Sequence, residues 1–168
     1  MSLVAGGCGF IGSNFIHLMR AERPEQKILN LDVLSYAGNL ENLASLEGDT
    51  GLSFVKGDIA DEALVNRIFT ENEIEAVVHF AAESHVDRSI LGPGVFIESN
   101  VRGSQVLLEA ARQHWTEGEG RFVMVSTDEV YGSLGDTGKF METTPLDPSS
   151  PYSASKAAAD HLARAWRR

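Results

Sequence analysis

The sequence predicts an α/β fold built on a doubly wound parallel sheet. Short apolar runs alternate along the chain with stretches whose apolar residues recur at helical spacing. The links between them are short, which is typical of strand–helix–strand units whose sheet is covered by helices on both faces. One predicted strand, residues 76–81 (AVVHFA), is apolar almost throughout, as expected for a strand buried on both faces.

The elements follow from this alternation. Strands are predicted at residues 2–5, 27–31, 52–55, 76–81 and 121–126. Helices are predicted at residues 10–21, 39–46, 93–114 and from 152 onward, and Asp61 is expected to cap one more, with Leu64, Val65, Ile68 and Phe69 as its apolar face. A polar loop is expected over residues 127–151. The last helix has no strand after it, and since such sheets usually continue, we expect the chain to be a fragment that lacks the last strands.

The composition excludes several classes of function. Asp and Glu number 24 against 14 Lys and Arg, so the chain lacks the basic field that attracts nucleic acids and anionic membranes. No apolar run approaches the roughly 20 residues of a membrane helix, and no secretory signal is recognisable. A single cysteine, Cys8, suits a reducing compartment, and the histidines lack metal-ligand spacing. We therefore expect a cytoplasmic protein without a metal site that binds neither nucleic acid nor membrane.

A glycine pattern follows the first predicted strand and opens the first helix. Gly6, Gly9 and Gly12 can permit a tight turn, let the backbone approach a pyrophosphate and let the helix pack on the sheet. The helix N-terminus then offers free N–H groups and a positive dipole end to the phosphates. Asp32, at the end of the second strand, can accept both ribose hydroxyls of an adenosine and repels a 2′-phosphate. The pattern predicts a Rossmann-type fold that binds NAD rather than NADP.

Some assignments around this loop have alternatives. A glycine-rich turn without a ligand is the other interpretation of the loop itself. Asp58, after the third strand, can contact the adenine amino group, or it can be a turn or helix-capping aspartate. Cys8 inside the loop is predicted to fill a small space rather than to react.

A second group of polar residues predicts acid–base chemistry. Tyr152 and Lys156 form Y-x-x-x-K on one face of the last helix, where an ammonium favours the phenolate and makes the tyrosine a base. Thr127, Asp128 and Glu129 follow the fifth strand, at the edge where open α/β sheets bind ligands. Two neighbouring carboxylates can take different tasks, one protonated and one ionised. The alternatives are a solvated helix face and a capped, solvated loop.

Five segments together resemble a known family. They are GGCGFIGSNF, LDVLSYAGNLENL, HFAAESHVDRS, STDEVYG and PYSASK, and they occur in the order found in the extended short-chain dehydrogenase/reductase family. Within that family the combination is similar to the dTDP-glucose 4,6-dehydratases. Sugar-nucleotide 4-epimerases share the glycine loop and Y-x-x-x-K but usually lack the acidic pair of STDEVYG. The resemblance spans nearly all 168 residues.

The resemblance implies a reaction, the dehydration of dTDP-glucose to dTDP-4-keto-6-deoxyglucose with NAD as cofactor. Tyr152 would remove the proton of the sugar 4-hydroxyl while hydride passes from C4 to NAD. Lys156 would favour the phenolate and hold the nicotinamide ribose, and Thr127 would orient the 4-hydroxyl. Glu129 would take the C5 proton, Asp128 would protonate the departing 6-hydroxyl, and the hydride would return to C6.

The resemblance also implies ligand contacts. Cofactor positions are Gly6, Gly9, Phe10, Ile11, Gly12, Asp32, Asp58, Ile59, Ala81, Ala82, Ser84, Asn100, Tyr152 and Lys156. Substrate positions are Ser84, Thr127, Asp128, Glu129 and Tyr152. Residues 1–168 would then be an incomplete NAD-binding Rossmann domain, since family members are about twice as long and carry most of the nucleotide-sugar pocket in the other half. A homodimer through the helices at residues 93–114 and 152–166 is implied as well.

Other functions remain open at this point. The protein can be a different NDP-sugar 4-epimerase or dehydratase, or a non-catalytic NAD-binding module. The nucleotide carried by the sugar, dTDP, UDP, GDP or CDP, is not fixed by these residues. We expect the chain alone to bind NAD but to turn over substrate poorly or not at all.

Overall fold

A five-stranded parallel sheet organises the computed structural model, which describes residues 1–116 and 119–166. The strands are β1 (Ser2–Ala5), β2 (Ile28–Asp32), β3 (Leu52–Lys56), β4 (Ala76–His79) and β5 (Arg121–Met124). Their order is β3-β2-β1-β4-β5, and every neighbouring pair is parallel. The order reverses between β1 and β4, which is where open sheets of this type bind ligands. The predicted fold class is confirmed.

Helices connect the strands. They are α1 (Phe10–Glu22), α2 (Glu62–Glu71), α3 (Val86–Leu91), α4 (Pro93–Phe96), α5 (Ser104–His114) and α6 (Pro151–Trp166), with 3₁₀ helices at Leu40–Leu46 and Asp128–Tyr131 and a π helix at Ile97–Gly103. Among the residues described, no helix is long and apolar enough to cross a membrane.

Several predicted elements differ in the structure, and one of them, the helix predicted at residues 39–46, is a 3₁₀ helix at Leu40–Leu46. The helix predicted at residues 93–114 is α4, the π helix and α5 in succession, and α3 was not predicted. Strand β4 ends at His79 rather than at 81, because the next two backbone N–H groups both donate to the carbonyl of Ala5 and the chain leaves the ladder. Strand β5 ends at Met124 rather than at 126, and a 3₁₀ helix lies inside the predicted loop.

The chain divides into two compact units, and the first contains the sheet. It comprises Met1–Ala81 and Val106–Val125. Side chains that alternate along a strand enter opposite cores, as Leu3 and Val4 do. The core on one face includes the four residues predicted as the apolar face of α2, and Asp61 caps that helix by accepting from the Leu64 N–H at 3.0 Å. The α2 prediction is therefore confirmed.

The second unit comprises Ala82–Gln105 and Ser126–Arg168. Its centre is α6, which packs against α3, α4, the π helix and the 3₁₀ helix Asp128–Tyr131. The start of α6 is fixed by a capping box: Ser150 Oγ accepts from the Ser153 N–H, and Ser153 Oγ accepts from the Ser150 N–H, both at 3.0 Å. Pro151 occupies the first helical position, where its missing N–H costs nothing.

Candidate functional site

Two of the three loop glycines are required by the packing of the protein itself. Gly6 has φ +83°, and a Cβ there would collide with the backbone of Ala81. A Cβ on Gly12 would collide with the carbonyl oxygen of Gly6. Gly6 thus lets the loop lie against the segment after β4, and Gly12 lets the start of α1 lie against the loop, the kind of close packing that the sequence pattern predicted.

Gly9 differs because the surrounding backbone leaves room for a Cβ at this position. Its φ of −77° and ψ of 173° suit any residue, and a Cβ at this position would lie 3.6 Å from its nearest neighbour, the Gly6 carbonyl oxygen, an ordinary contact. Gly9 precedes α1, whose N-terminus has no side-chain cap and no acidic residue in its first turn. Phe10 and Ile11 are 81% and 61% exposed. A helix N-terminus without a side-chain cap, preceded by a glycine, fits a bound pyrophosphate.

Asp32 supports the glycine loop directly. One carboxylate oxygen accepts from the Cys8 N–H and the other from the Leu34 N–H, both at 2.8 Å, and the side chain is 7% exposed. Leu34 has φ 56°, a left-handed conformation that is uncommon for leucine. A carboxylate has about four acceptor positions, so these two bonds leave capacity for ribose hydroxyls.

Asn30 is a supporting residue that the sequence analysis missed. It is fully buried in β2, where its Oδ1 accepts from the Gly7 N–H at 3.1 Å and its Nδ2 donates to Cys8 Sγ at 3.3 Å. A polar residue within the apolar strand ILNLD was the available signal. Burial raises the pKa of the Cys8 thiol to about 11. The hydrogen bond from Asn30 lowers this pKa, whereas the negative charge of Asp32 raises it. The thiol is thus protonated at neutral pH, in agreement with a filling role.

The remaining predicted cofactor residues of this unit have structural contacts of their own. Asp58 is exposed and its Oδ1 accepts from the Ala60 N–H at 2.9 Å, which is a turn contact. Ile59 is 4% exposed and belongs to the core, so a cofactor contact by this residue stays a prediction. Ala81 lies against Gly6. An adenine contact by Asp58 stays a prediction.

Tyr152 and Lys156 are buried in the first two turns of α6. They are 8% and 4% exposed, so the alternative of a solvated helix face is wrong. Tyr152 directly follows Pro151 in the first turn of α6, inside the capping box of Ser150 and Ser153. Burial lowers the pKa of Lys156, and the negative charge of Asp160 opposes that effect.

The lowered pKa of Lys156 predicts a stability effect. Between that pKa and the ordinary value of 10.5, the unfolded chain binds the proton and the folded chain does not, so stability should rise with pH in that range. Below the range the buried charge costs stability. We expect Lys156→Met to raise the free energy of unfolding at pH 7 and to flatten its increase toward pH 10, measured by urea denaturation. A Met variant less stable than the parent at pH 7 would contradict this.

Thr127, Asp128 and Glu129 form one local structure. Thr127 caps the 3₁₀ helix Asp128–Tyr131, its Oγ1 accepting from the Glu129 N–H at 3.3 Å. The capped-loop interpretation therefore describes Thr127, whose hydroxyl lies 3.5 Å from Asp128 Oδ1. Both carboxylate side chains are exposed and remain available to a ligand.

Asn100 connects two segments of the second unit. It is 1% exposed within the π helix, a rare helix type that often marks functional sites. Its Oδ1 accepts from the Glu83 N–H at 2.8 Å, and its Nδ2 donates to the Glu83 carbonyl and to Ser155 Oγ, both at 2.9 Å. Ser155 in turn donates to the Tyr152 carbonyl at 2.6 Å. Asn100 thus joins α6 to the segment that contains Ala82 and the exposed Ser84.

The strand order and the glycine loop define the class to which this protein belongs, the Rossmann-type dinucleotide-binding proteins. More narrowly, the chain belongs to the GDP-mannose 4,6 dehydratase family, whose sequence profile matches residues 3–168. The family resemblance drawn from the five motifs is confirmed by this match.

Curated relatives of this chain include dTDP-glucose 4,6-dehydratases. A dTDP-glucose 4,6-dehydratase of Xanthomonas campestris pv. campestris is 59% identical over 170 residues, covering 98% of this chain and 48% of that protein. A dTDP-glucose 4,6-dehydratase of Escherichia coli is 46% identical over 182 residues, covering 99% of this chain and 50% of that protein. The chain spans about half the length of the curated relatives it matches.

Solved structures of related enzymes also superpose on this chain. The dTDP-glucose 4,6-dehydratase from Streptomyces venezuelae, a double mutant with NAD bound, superposes with a TM-score of 0.91 at 50% identity, covering 100% of this chain and 52% of that one. A UDP-Glc/GlcNAc 4-epimerase from Campylobacter jejuni superposes with a TM-score of 0.88 at 30% identity, covering 98% and 48%.

Proposed function

We propose that this protein is an NAD-dependent dehydratase that converts dTDP-glucose to dTDP-4-keto-6-deoxyglucose. The observation that carries the proposal is the adjacent pair Asp128 and Glu129, both exposed at the start of a 3₁₀ helix. Elimination of water beside a ketone needs one base and one acid, and this pair supplies both. The identity to dTDP-glucose 4,6-dehydratases over nearly the whole chain supports the same assignment.

NAD fits the residues of the first unit. The missing side chain of Gly9 and the uncapped N-terminus of α1 suit its pyrophosphate, and the spare acceptor positions of Asp32 suit the adenosine ribose. When bound, NAD would supply the acceptor for the C4 hydride of the sugar and the donor of that hydride to C6. We further propose that residues 1–168 form the NAD-binding domain of the protein, with Ala82, Ser84 and Asn100 serving the nicotinamide end.

The choice of NAD over NADP is testable on the chain itself. A 2′-phosphate would meet the Asp32 carboxylate, and no arginine directly follows that residue. We expect NAD to bind more than about tenfold more tightly than NADP, a difference of about 1.4 kcal/mol, by isothermal titration calorimetry. Equal affinities, or tighter binding of NADP, would contradict the role of Asp32.

The first proton transfer is assigned to Tyr152. Its phenolate, favoured by Lys156 and by the N-terminus of α6, accepts the proton of the sugar 4-hydroxyl. Thr127 orients that hydroxyl, and its own contact to the Glu129 N–H fixes the threonine in place. The resulting 4-keto group makes the C5 proton acidic.

The elimination is assigned to the acidic pair. Glu129, as the carboxylate, removes the C5 proton, and Asp128, as the carboxylic acid, protonates the 6-hydroxyl so that it departs as water. The C5–C6 double bond then accepts the hydride at C6, and Glu129 returns its proton to C5. Tyr152 ends with the proton of the 4-hydroxyl and Asp128 ends ionised, so passage of that proton from Tyr152 to Asp128 through solvent restores both groups. Atoms and charges then balance, and NAD is unchanged overall.

The proposal is tested by mass spectrometry of dTDP-glucose. We expect the 168-residue chain with NAD to give little or no product, because it spans about half of its relatives. Joined to the second half of the Xanthomonas campestris relative, it should give a product lighter by one water. A fused protein that folds and binds NAD, yet gives no such product while the intact relative does, would refute the proposal.

A 4-epimerase is the second candidate, favoured by the similarity to the Campylobacter jejuni structure. It would give a product of unchanged mass. A non-catalytic NAD-binding module would bind NAD and leave dTDP-glucose, UDP-glucose and GDP-mannose unchanged in the fused protein. The same assay with these three substrates therefore identifies both the class of reaction and the nucleotide.

We also propose that the protein is a homodimer through the two predicted helical regions. Apolar side chains at residues 93–114 support this, since Val95 and Ile97 are 50% and 51% exposed. The cytoplasmic location predicted from the composition stays a prediction.

A further inference from the structure

Asp160 makes a contact that the proposed mechanism does not use. It lies on α6 one helical turn beyond Lys156 and two turns beyond Tyr152, so the three side chains form one stripe of the helix. Its Oδ2 accepts a hydrogen bond from Ser126 Oγ at 2.6 Å. Ser126 directly precedes Thr127 in the chain.

We infer that Asp160 is a positioning residue: its carboxylate ties residues 126–129 to α6 and places a negative charge one turn from Lys156. The inference rests on the proposed function, because it concerns how the proposed base and the proposed acidic pair are held. Asp160 itself touches no reacting atom in the proposed mechanism.

The tether to residues 126–129 rests on the Ser126 hydrogen bond. A hydroxyl that donates to a carboxylate at 2.6 Å makes a short, charge-assisted bond, stronger than one between neutral groups. The next residue, Thr127, holds the Glu129 N–H through its own side chain. Fixing Ser126 to α6 therefore fixes the start of the segment that carries the acidic pair, and catalytic groups tolerate little displacement.

The charge of Asp160 acts on Lys156. Burial lowers the pKa of Lys156, and Asp160 opposes this effect, which keeps the lysine protonated over a wider pH range. A protonated lysine is the form that favours the phenolate of Tyr152. Without Asp160, the buried lysine would lose its proton more readily and the tyrosine would be a poorer base.

Other charged side chains near α6 must be separated from this effect. The elements packed against α6 carry Asp87 and Arg88 on α3, Glu98 and Arg102 on the π helix, and Asp128 and Glu129 on the 3₁₀ helix. Glu98 and Arg102 form an ion pair with each other at 3.0 Å. All six remain unchanged in the variants below, so none of them accounts for a difference between the variants.

The test for the charge is competitive acetylation of the lysines of the 168-residue chain between about pH 6 and 11, read by mass spectrometry. Burial slows labelling at every pH, whereas the midpoint of the profile reports protonation. We expect Asp160→Asn to raise the labelling rate of Lys156 at pH 8 about threefold or more relative to Lys27, because a tenfold change corresponds to one pKa unit. Asp160→Glu, which keeps the charge, should restore the parent profile.

The control variants separate the effect of the Asp160 charge on Lys156 from the effect of the hydrogen bond between Ser126 and Asp160. Glu142→Gln removes one negative charge from an exposed residue of the same unit and should leave the Lys156 profile unchanged. Ser126→Ala keeps the charge but removes the tether, so it should leave the Lys156 profile near that of the parent and increase amide hydrogen exchange in residues 127–131. An asparagine at position 160 can still accept the hydrogen bond from Ser126. Asp160→Asn should therefore change the amide hydrogen exchange of residues 127–131 less than Ser126→Ala does.

Two results would overturn the inference. One is a Lys156 labelling profile in Asp160→Asn that is the same as the parent profile, while circular dichroism shows that the variant is folded. The other is unchanged hydrogen exchange of residues 127–131 in Ser126→Ala. Neither readout needs turnover of a sugar, so failure of the dehydratase proposal, which appears in the mass of the product, is distinguishable from failure of this one.

Discussion

Glu129→Gln in the fused protein is expected to lower the rate of dehydration by about 10²- to 10⁴-fold, the usual contribution of a positioned acid or base. An amide cannot accept the C5 proton, whereas Tyr152 and Lys156 remain to carry out oxidation at C4. The variant should therefore form the 4-keto sugar, two hydrogens lighter than the substrate, without losing water. Mass spectrometry of the bound and released sugars measures both species.

Controls make this result specific. Glu142→Gln, an exposed carboxylate elsewhere in the same unit, should keep the parent rate. Asp128→Asn should slow the loss of water while the C5 proton still exchanges with deuterated solvent, because the base is intact. Dehydration at the parent rate in Glu129→Gln would remove that residue from the mechanism.

Gly12→Ala is expected to destabilise the chain by about 3 kcal/mol or more. A Cβ there would overlap the carbonyl oxygen of Gly6, which is backbone and cannot rotate aside. Overpacking of a tight contact typically costs about 1–3 kcal/mol and more where backbone must move. Urea denaturation should show a lower transition midpoint with an unchanged slope.

Gly9→Ala is the matched variant in the same loop. The structure accommodates its methyl group at ordinary contact distance, so the free energy of unfolding should change by less than about 0.5 kcal/mol. The methyl group would fill the space proposed for the pyrophosphate, so NAD binding should weaken by about tenfold or more. Unchanged NAD affinity would show that the pyrophosphate does not approach Gly9, and equal destabilisation by both variants would contradict the distinction between the two glycines.

Local patterns in the sequence predicted most of the first unit. Apolar runs located all five strands, and Asp61 and the α2 face appeared as expected because both depend on residues within one or two helical turns. The glycine spacing predicted close packing at Gly6 and Gly12 for the same reason. It could not predict that Gly9 is dispensable for packing, since that depends on what the folded chain places nearby.

The supporting residues could not be predicted because their partners are distant in sequence. Asn30 bonds to a loop more than twenty residues earlier, Asn100 to a serine on α6, and Asp160 to Ser126. Each reads in isolation as an ordinary polar residue on a strand or helix. The π helix that interrupts the predicted helix at residues 93–114 was not predicted either. It carries Asn100, whose carbonyl accepts from Ser104 Oγ at 2.6 Å.

The path of one hydrogen atom distinguishes the proposed dehydration from its alternatives. The fused protein is given dTDP-glucose carrying deuterium at C4, and the product is analysed by mass spectrometry and NMR. We expect a product lighter by one water that retains the deuterium, now at C6. A product of unchanged mass with deuterium at C4, or loss of the label to solvent, would show that the hydride does not travel from C4 to C6 and that the proposed reaction is wrong.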